Sequence, residues 1–308
     1  MKSIMPIDLV VPEDVELTTL LDELRKLSWA AADVLIAYAR GEDPPYGFQK
    51  SLTVAEGGDG PVSAADMAVN ELLISGLKKN FDYQEWDILS EESSKETSFQ
   101  YSDYKKKWCW IIDPLDGTKD FLNGSENYSV HIALVYNKIP KIGIVLIPER
   151  NELWIGVIGN GAWCENRDGE KKHISFSERK EISELILVSS KNHHESKLKN
   201  LLEKLDFVST KKIGSVGCKV ASILRGESDV YISLSGKTAP KDWDIAAPHA
   251  LIQAAGGLFT HADETDLTYN NLNYLQSGCL IASHGNSHEL ICKKAMKFFS
   301  SEIPDYIV

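Results

Sequence analysis

Cysteine is sparse and unpatterned. Cys109, Cys164, Cys218, Cys279 and Cys292 are scattered along 308 positions. Their number is odd and no two form a C-x-x-C pair, so neither a disulfide scaffold nor a zinc site of ordinary spacing organises the chain, and reduced intracellular thiols are expected. No apolar run approaches the roughly 20 residues needed to span a bilayer. The opening stretch, "MKSIMPIDLVVPEDVELTTLL", has one lysine, a short apolar patch and then acids, which is too short and too acidic for a secretory leader; the expected location is the cytoplasm. There is no internal repeat and no low-complexity segment. Positive charge is in deficit, 33 Lys and Arg against 45 Asp and Glu for a net charge of −12. That balance argues against nucleic acid or an acidic membrane as partner. An acidic chain that takes a phosphate ester needs bound cations or a local basic pocket to offset the repulsion.

What is present is an ordinary globular composition, long enough for a sizeable core without staples. Apolar residues recur at helical spacing from Val15 to Arg40, which predicts one long helix ended by "ARGEDPPYG". The glycine-rich segment 51–60 runs into a second helix from about Ser63 to Lys79, and "WDILSEES" reads as a short strand ending on acids. Residues 128–165 read as successive antiparallel strands. A polar, charged stretch follows and sets an expected domain boundary near residue 178. Residues 179–308 alternate strand and helix patterns. The expectation is an α+β half, 1–178, an α/β half, 179–308, and a site in the cleft between them.

The stretch "WCWIIDPLDGTKDF" drives an apolar strand into Asp113 and Asp116. If the chain turns at Pro114, the two carboxylates and the Leu115 carbonyl converge at the strand end. Gly117-Thr118 then opens a helix whose backbone N–H groups favour a phosphate. Hard oxygens beside an anion-binding helix end suit Mg²⁺. Other acids also stand at element ends: Glu91 and Glu92 after a strand, Asp66 and Asp244 at helix starts. Taken singly, each has a plain structural reading as a turn residue, a helix cap or a solvated edge.

Taken together, "DPLDGTKDF", "SEES", "PVSAAD" and "WDIAAPHALIQAAGG" resemble the lithium-sensitive, magnesium-dependent phosphatases of the inositol monophosphatase superfamily, in family order and over nearly the whole chain. Lys119-Asp120-Phe121, where inositol monophosphatases usually read T-N-F, looks like the 3′(2′),5′-bisphosphate nucleotidases of the CysQ type. "VSSKNHH" and "IGSVGCK" are similar to segments those nucleotidases carry near the nucleotide. Residues 51–60, the 235–238 loop and Asp242 depart from the pattern.

The resemblance implies a layered αβαβα sandwich and two Mg²⁺ ions, with a looser third near Glu91 and Asp66. Asp113 would bridge the two ions, Glu91 and the Leu115 carbonyl completing one and Asp116 and Asp244 the other. An activated water would be aligned by Thr118, with Asp66 taking up its proton. The Gly117 and Thr118 amides would grip the phosphate. Lys119, Ser190, Lys191, His193, Gly214, Ser215 and Lys219 would line the substrate pocket. The implied substrate is a small phosphate ester, in first place adenosine 3′,5′-bisphosphate or its sulfate-bearing precursor, handled by a monomer or homodimer with a role in sulfur assimilation. Three alternatives are an inositol or sugar phosphatase of the same superfamily, an aspartyl-phosphate phosphatase, and a non-catalytic nucleotide- or metal-binding regulator. The aspartyl-phosphate type spaces its acids two apart near the chain start.

Overall fold

Which side chains the helices bury explains how the layers stack in the computed structural model, which describes residues 10–302 apart from 52, 58–59, 82–85, 96–105, 191–195, 236–238 and 272. In chain order the elements are α1 (Leu17–Arg40), β1 (Val54–Gly57), β2 (Gly60–Ser63), α2 (Ala64–Phe81), β3 (Asp87–Ser90), α3 (Glu91–Ser94), β4 (Trp108–Asp116), α4 (Thr118–Leu122), β5 (Ser129–Tyr136), β6 (Ile139–Ile147), β7 (Glu152–Val157), β8 (Gly161–Glu165) and β9 (Lys171–Lys172). They continue with β10 (Ile186–Ser189), α5 (Ser196–Leu205), β11 (Ser209–Lys212), α6 (Val216–Leu224), β12 (Val230–Ser235), α7 (Asp242–Ala254), β13 (Leu258–His261), β14 (Gly278–Ser283) and α8 (His288–Glu302).

A seven-stranded sheet runs in chain order from β3 to β9, and a five-stranded sheet has the order β11-β10-β12-β14-β13. Alternation along β4 divides its side chains between two cores. Trp110 and Ile112 face α1 and α2, while Ile111 faces the central layer built by α6 and α7. The other side of that layer packs on Val188, Tyr231, Leu280 and Ala282 of the smaller sheet. Leu187, Ile232 and Ile281, on the opposite face, pack against α5 and α8. The result is the five-layer αβαβα sandwich that the resemblance implied.

Two features of the central layer position the site. Helix α7 lies directly on the larger sheet because β6 and β7 offer glycines beneath it. A Cβ on Gly143 would collide with the Ala247 carbonyl, and one on Gly156 would come within 2.6 Å of the Leu251 Cα. Every residue of α6 is buried, as expected of a helix packed on both faces. Both helices therefore present their N-termini to the end of β4. Among the described residues no helix is long and apolar enough to cross a membrane, and all five cysteines are buried and unpaired.

Candidate active site

Asp113 and Asp116 share a site because β4 is bulged. On a regular strand, residues three apart point to opposite faces. Here Asp113 pairs with His131 and Asp116 with Ser129, so three steps on β4 match two on β5. The extra residue falls at Pro114-Leu115, where a missing N–H costs the ladder least. The strand thus continues through Pro114 rather than turning there, and the bulge brings both carboxylates to one side. Gly117 follows in the left-handed region at φ 94°. A Cβ there would also stand 3.0 Å from the Asn127 carbonyl, so glycine is required on both counts.

Carboxylate oxygens of Asp113, Asp116 and Asp244 lie within 4.8 Å of one another. Each residue is pinned on one oxygen. The Leu115 N–H donates to Asp113 Oδ1 at 3.0 Å, and the Lys241 N–H donates to Asp244 Oδ2 at 2.7 Å. Asp116 Oδ2 accepts from Ser215 Oγ at 2.6 Å and from the Val216 and Gly217 N–H groups at the start of α6. Ser129, His131 and Ser215 form a buried polar network behind it. Glu91 heads α3 and adds repulsion to Asp113.

Thr118 joins the cluster to Asp66. Its Oγ1 lies 3.2 Å from both Asp66 Oδ1 and the Leu115 carbonyl oxygen. The other Asp66 oxygen accepts from the Ser63 backbone and hydroxyl. Asp66 and Asp244 are each the third residue of a helix and each reaches back to the N–H before it, the carboxylate half of a capping box. For both, the structural reading and the site reading hold together, because the cap uses one oxygen.

Burial and crowding raise the proton affinity of Asp66, Glu91, Asp113 and Asp244. Asp66 is pushed up to about 6, chiefly by burial, with Glu92 adding repulsion. Glu91 and Asp244 are pushed up to about 7, first by burial and then by neighbouring carboxylates. Asp113 is raised well above the usual range by burial, Glu91, Asp116 and Asp244. Converging hard oxygens that repel one another when ionised are the donor set a divalent cation satisfies, so these residues fit a metal.

The other expected site residues are dispersed. Lys119 is exposed, next to Thr118. Ser190 follows the end of β10, while Lys191 and His193 lie outside the described residues. Gly214 is pressed against the Asp120 carboxylate, where no Cβ fits. Ser215 caps α6 through the Cys218 N–H as well as holding Asp116. Lys219 is buried; its Nζ donates to the Gly214 carbonyl at 2.6 Å and lies 5.1 Å from the centre of the Tyr231 ring. Burial lowers its pKa to about 8, with Asp116 opposing. Its contact with the Gly214 carbonyl braces the Gly214-Ser215 turn. Asp242 is buried and ties α7 to the 270–276 segment through the Asn270 N–H and the Gln276 amide.

Sequence reasoning did not single out Ser63, Lys95 or Lys212, and left Glu92 outside the ligand set. Ser63-x-x-Asp66 is a legible capping pattern. Lys95 stands three and four residues after Glu92 and Glu91. Lys212 ends β11, and its Nζ donates to Ser189 Oγ at 2.8 Å. Ser129 and His131 became visible only through the strand register.

Replacing Ser215 by Ala is expected to cost about 1 kcal/mol in stability through the lost cap. It should also weaken divalent-metal affinity about tenfold through the freed Asp116. Thermal melts and Mn²⁺ titration measure the two effects separately.

The chain belongs to the inositol monophosphatase family, whose model matches residues 16–298. It is a phosphatase, of a family that is metal-dependent. It is 33% identical to the 3′(2′),5′-bisphosphate nucleotidase CysQ of Buchnera aphidicola, over 74% of this chain and 80% of that protein. To the protein of the same name from Escherichia coli K12 it is 29% identical, over 77% and 88%. The solved inositol monophosphatase from Anabaena superposes with a TM-score of 0.70 at 25% identity, over 92% of this chain and 97% of that one.

Proposed function

We propose that this phosphatase removes the 3′-phosphate of adenosine 3′,5′-bisphosphate, and of its sulfate-bearing precursor, in the cytoplasm. The observation that supports the chemistry is the convergence of Asp113, Asp116 and Asp244 beside the Thr118–Asp66 pair. Mg²⁺ held by Glu91, Asp113, the Leu115 carbonyl, Asp116 and Asp244 would supply an activated water and neutralise charge on the phosphate. The chain's own part is positioning. Thr118 donates its proton toward Asp66 or Leu115, which leaves its oxygen to accept from the attacking water. Asp66, with a proton affinity close to neutrality, takes up the proton that water loses. The Gly117 and Thr118 amides receive the phosphate at the end of the bulged strand.

The nucleotide preference draws on the names of the two curated relatives and on the edge formed by β10 and β11. These parallel strands both end toward the Gly214-Ser215 turn that holds Asp116, and strand C-terminal ends are where open α/β sheets bind ligands. Ser190, Lys191, His193 and Lys212 follow or end these strands, and Lys119 adds charge beside Thr118. The likeness to the Anabaena structure favours a second reading, an inositol phosphatase with the same chemistry.

Phosphate release from adenosine 3′,5′-bisphosphate and from inositol 1-phosphate, side by side with Mg²⁺, separates the two. A kcat/KM at least about tenfold higher for the nucleotide is expected, since one extra charged contact contributes about 1.5–3 kcal/mol. Equal or reversed preference would discard the nucleotide pocket and keep the chemistry. Silence on both, and on other sugar phosphates, would favour a non-catalytic regulator.

A further inference from the structure

Helix α3 is a single turn, and Lys95 caps its end with N–H bonds to the Glu92 and Ser93 carbonyls. From there the side chain folds back over the acids that begin the helix. Its Nζ lies 3.0 Å from Glu91 Oε1 and 2.9 Å from Glu92 Oε1. The Glu92 carboxylate is buried, with 3% of its side chain exposed, and an unpaired carboxylate there would be costly. Six carboxylates crowd this centre: Asp66, Glu91, Glu92, Asp113, Asp116 and Asp244. Two divalent cations held by Glu91, Asp113, the Leu115 carbonyl, Asp116 and Asp244 would leave Glu92, Asp66 and the Glu91 oxygen that faces Lys95 in need of further positive charge. A third cation would supply it, and so does an ammonium already seated between two of these acids.

We propose that Lys95 is a positioning residue whose tethered ammonium fills the Glu91–Glu92 side of the metal centre and limits it to two divalent cations. This inference rests on the metal-assisted reading above. The lysine keeps Glu92 paired, holds Glu91 at the edge of the cluster, and blocks the oxygens a third ion would need. Because it is covalently attached, it cannot be lost by dilution as a weakly held ion would be.

The test is Mn²⁺ binding to the full chain, followed into the millimolar range by the electron paramagnetic resonance signal of the unbound ion. Wild type is expected to take up about two equivalents. Lys95→Met should take up about three, with Lys95→Arg restoring about two. Circular dichroism establishes that the variants are folded. About three equivalents on the wild type overturns the proposal without recourse to any variant. About two on wild type and Lys95→Met alike overturns it while leaving the two-metal reading standing. No binding by the wild type overturns both.

Discussion

Replacing Asp113 by Asn will remove nearly all phosphatase activity and at the same time make the metal-free protein harder to unfold. The two effects have one cause. Asp113 is buried at the meeting point of Glu91, Asp116 and Asp244, and their charges, added to burial, hold its proton affinity well above the usual range. An amide of the same shape keeps the bond from the Leu115 N–H to the side-chain oxygen and removes the repulsion. It also removes the anionic oxygens at the centre of the donor set. A loss of about 10³-fold in kcat is expected, at the upper end of what single electrostatic groups contribute at active sites. The metal-free melting temperature should rise by roughly 1–3 °C, as when a strained functional site is relieved. Retention of more than about a tenth of the wild-type rate would remove Asp113 from the centre of the mechanism. Lost activity with a lowered melting temperature would mean that the substitution acts by misfolding. A phosphate trapped covalently on the Asp113 of the wild-type chain would instead replace metal-assisted attack by water with an aspartyl-phosphate route.

Much of this architecture is legible in the sequence. The long first helix follows from leucines at helical spacing, and its end from Gly41, which adopts the left-handed conformation. The strands between residues 128 and 165 were set off by short turns between apolar runs. The acids at the ends of elements were also visible. The convergence of Asp113 and Asp116 was read from a turn at Pro114, and that of the remaining acids from the family resemblance; a spacing of three on a regular strand points two side chains apart. The bulge that reverses this depends on how β4 registers with β5, and no local pattern in β4 specifies that register.

Lys219 shows a different limit. The sequence around it, "VGCKVASIL", carries one charge among apolar and small residues. A helix of that kind is buried on both faces, and the pattern therefore bears on Lys219 as a buried cation. Read instead through its similarity to a nucleotide-binding segment, it became a candidate for gripping phosphate. Its contact with the Gly214 carbonyl makes it a support for the turn that holds Asp116. Lys212 stands on an exposed edge strand with no local mark to distinguish it from a solvated lysine. Only the parallel pairing of β10 with β11 brings it to Ser189.

The stabilisation conferred by a divalent metal should grow with pH, and the crowded acids set the range. Asp66 is raised to about 6, and Glu91 and Asp244 to about 7. A carboxyl whose folded pKa is raised contributes stability below its unfolded value, near 4, and loses it as pH rises through the folded value. The metal-free protein therefore sheds this contribution between about pH 4 and 7. A cation reverses the loss, because it binds the ionised forms and must displace protons below about pH 6. Buried histidines work in the opposite direction. His249 and His288 are lowered to about 4 by burial, so their contribution is full above about 6.5 and falls away as pH drops. Their hydrogen bonds go to Tyr269, and to Thr260 and Ser283, not to the donor set, so they affect metal-free and metal-loaded protein alike; His131, also lowered by burial, lies 3.3 Å from Asp116 Oδ2 and belongs with the site. The informative quantity is thus the difference in melting temperature between protein in Mg²⁺ and protein in a chelator, measured at several pH values. At about a hundredfold excess over the dissociation constant, binding contributes about 2.7 kcal/mol. That corresponds to roughly 4 °C at pH 7.5 for a chain of this size, and the difference should shrink to near zero at about pH 5. A constant difference across the range would mean that the cation binds elsewhere than among these protonated acids. Asp113→Asn supplies the control: with the central carboxylate gone, the Mg²⁺ increment at pH 7.5 should collapse, while the histidine-dependent slope common to both arms persists.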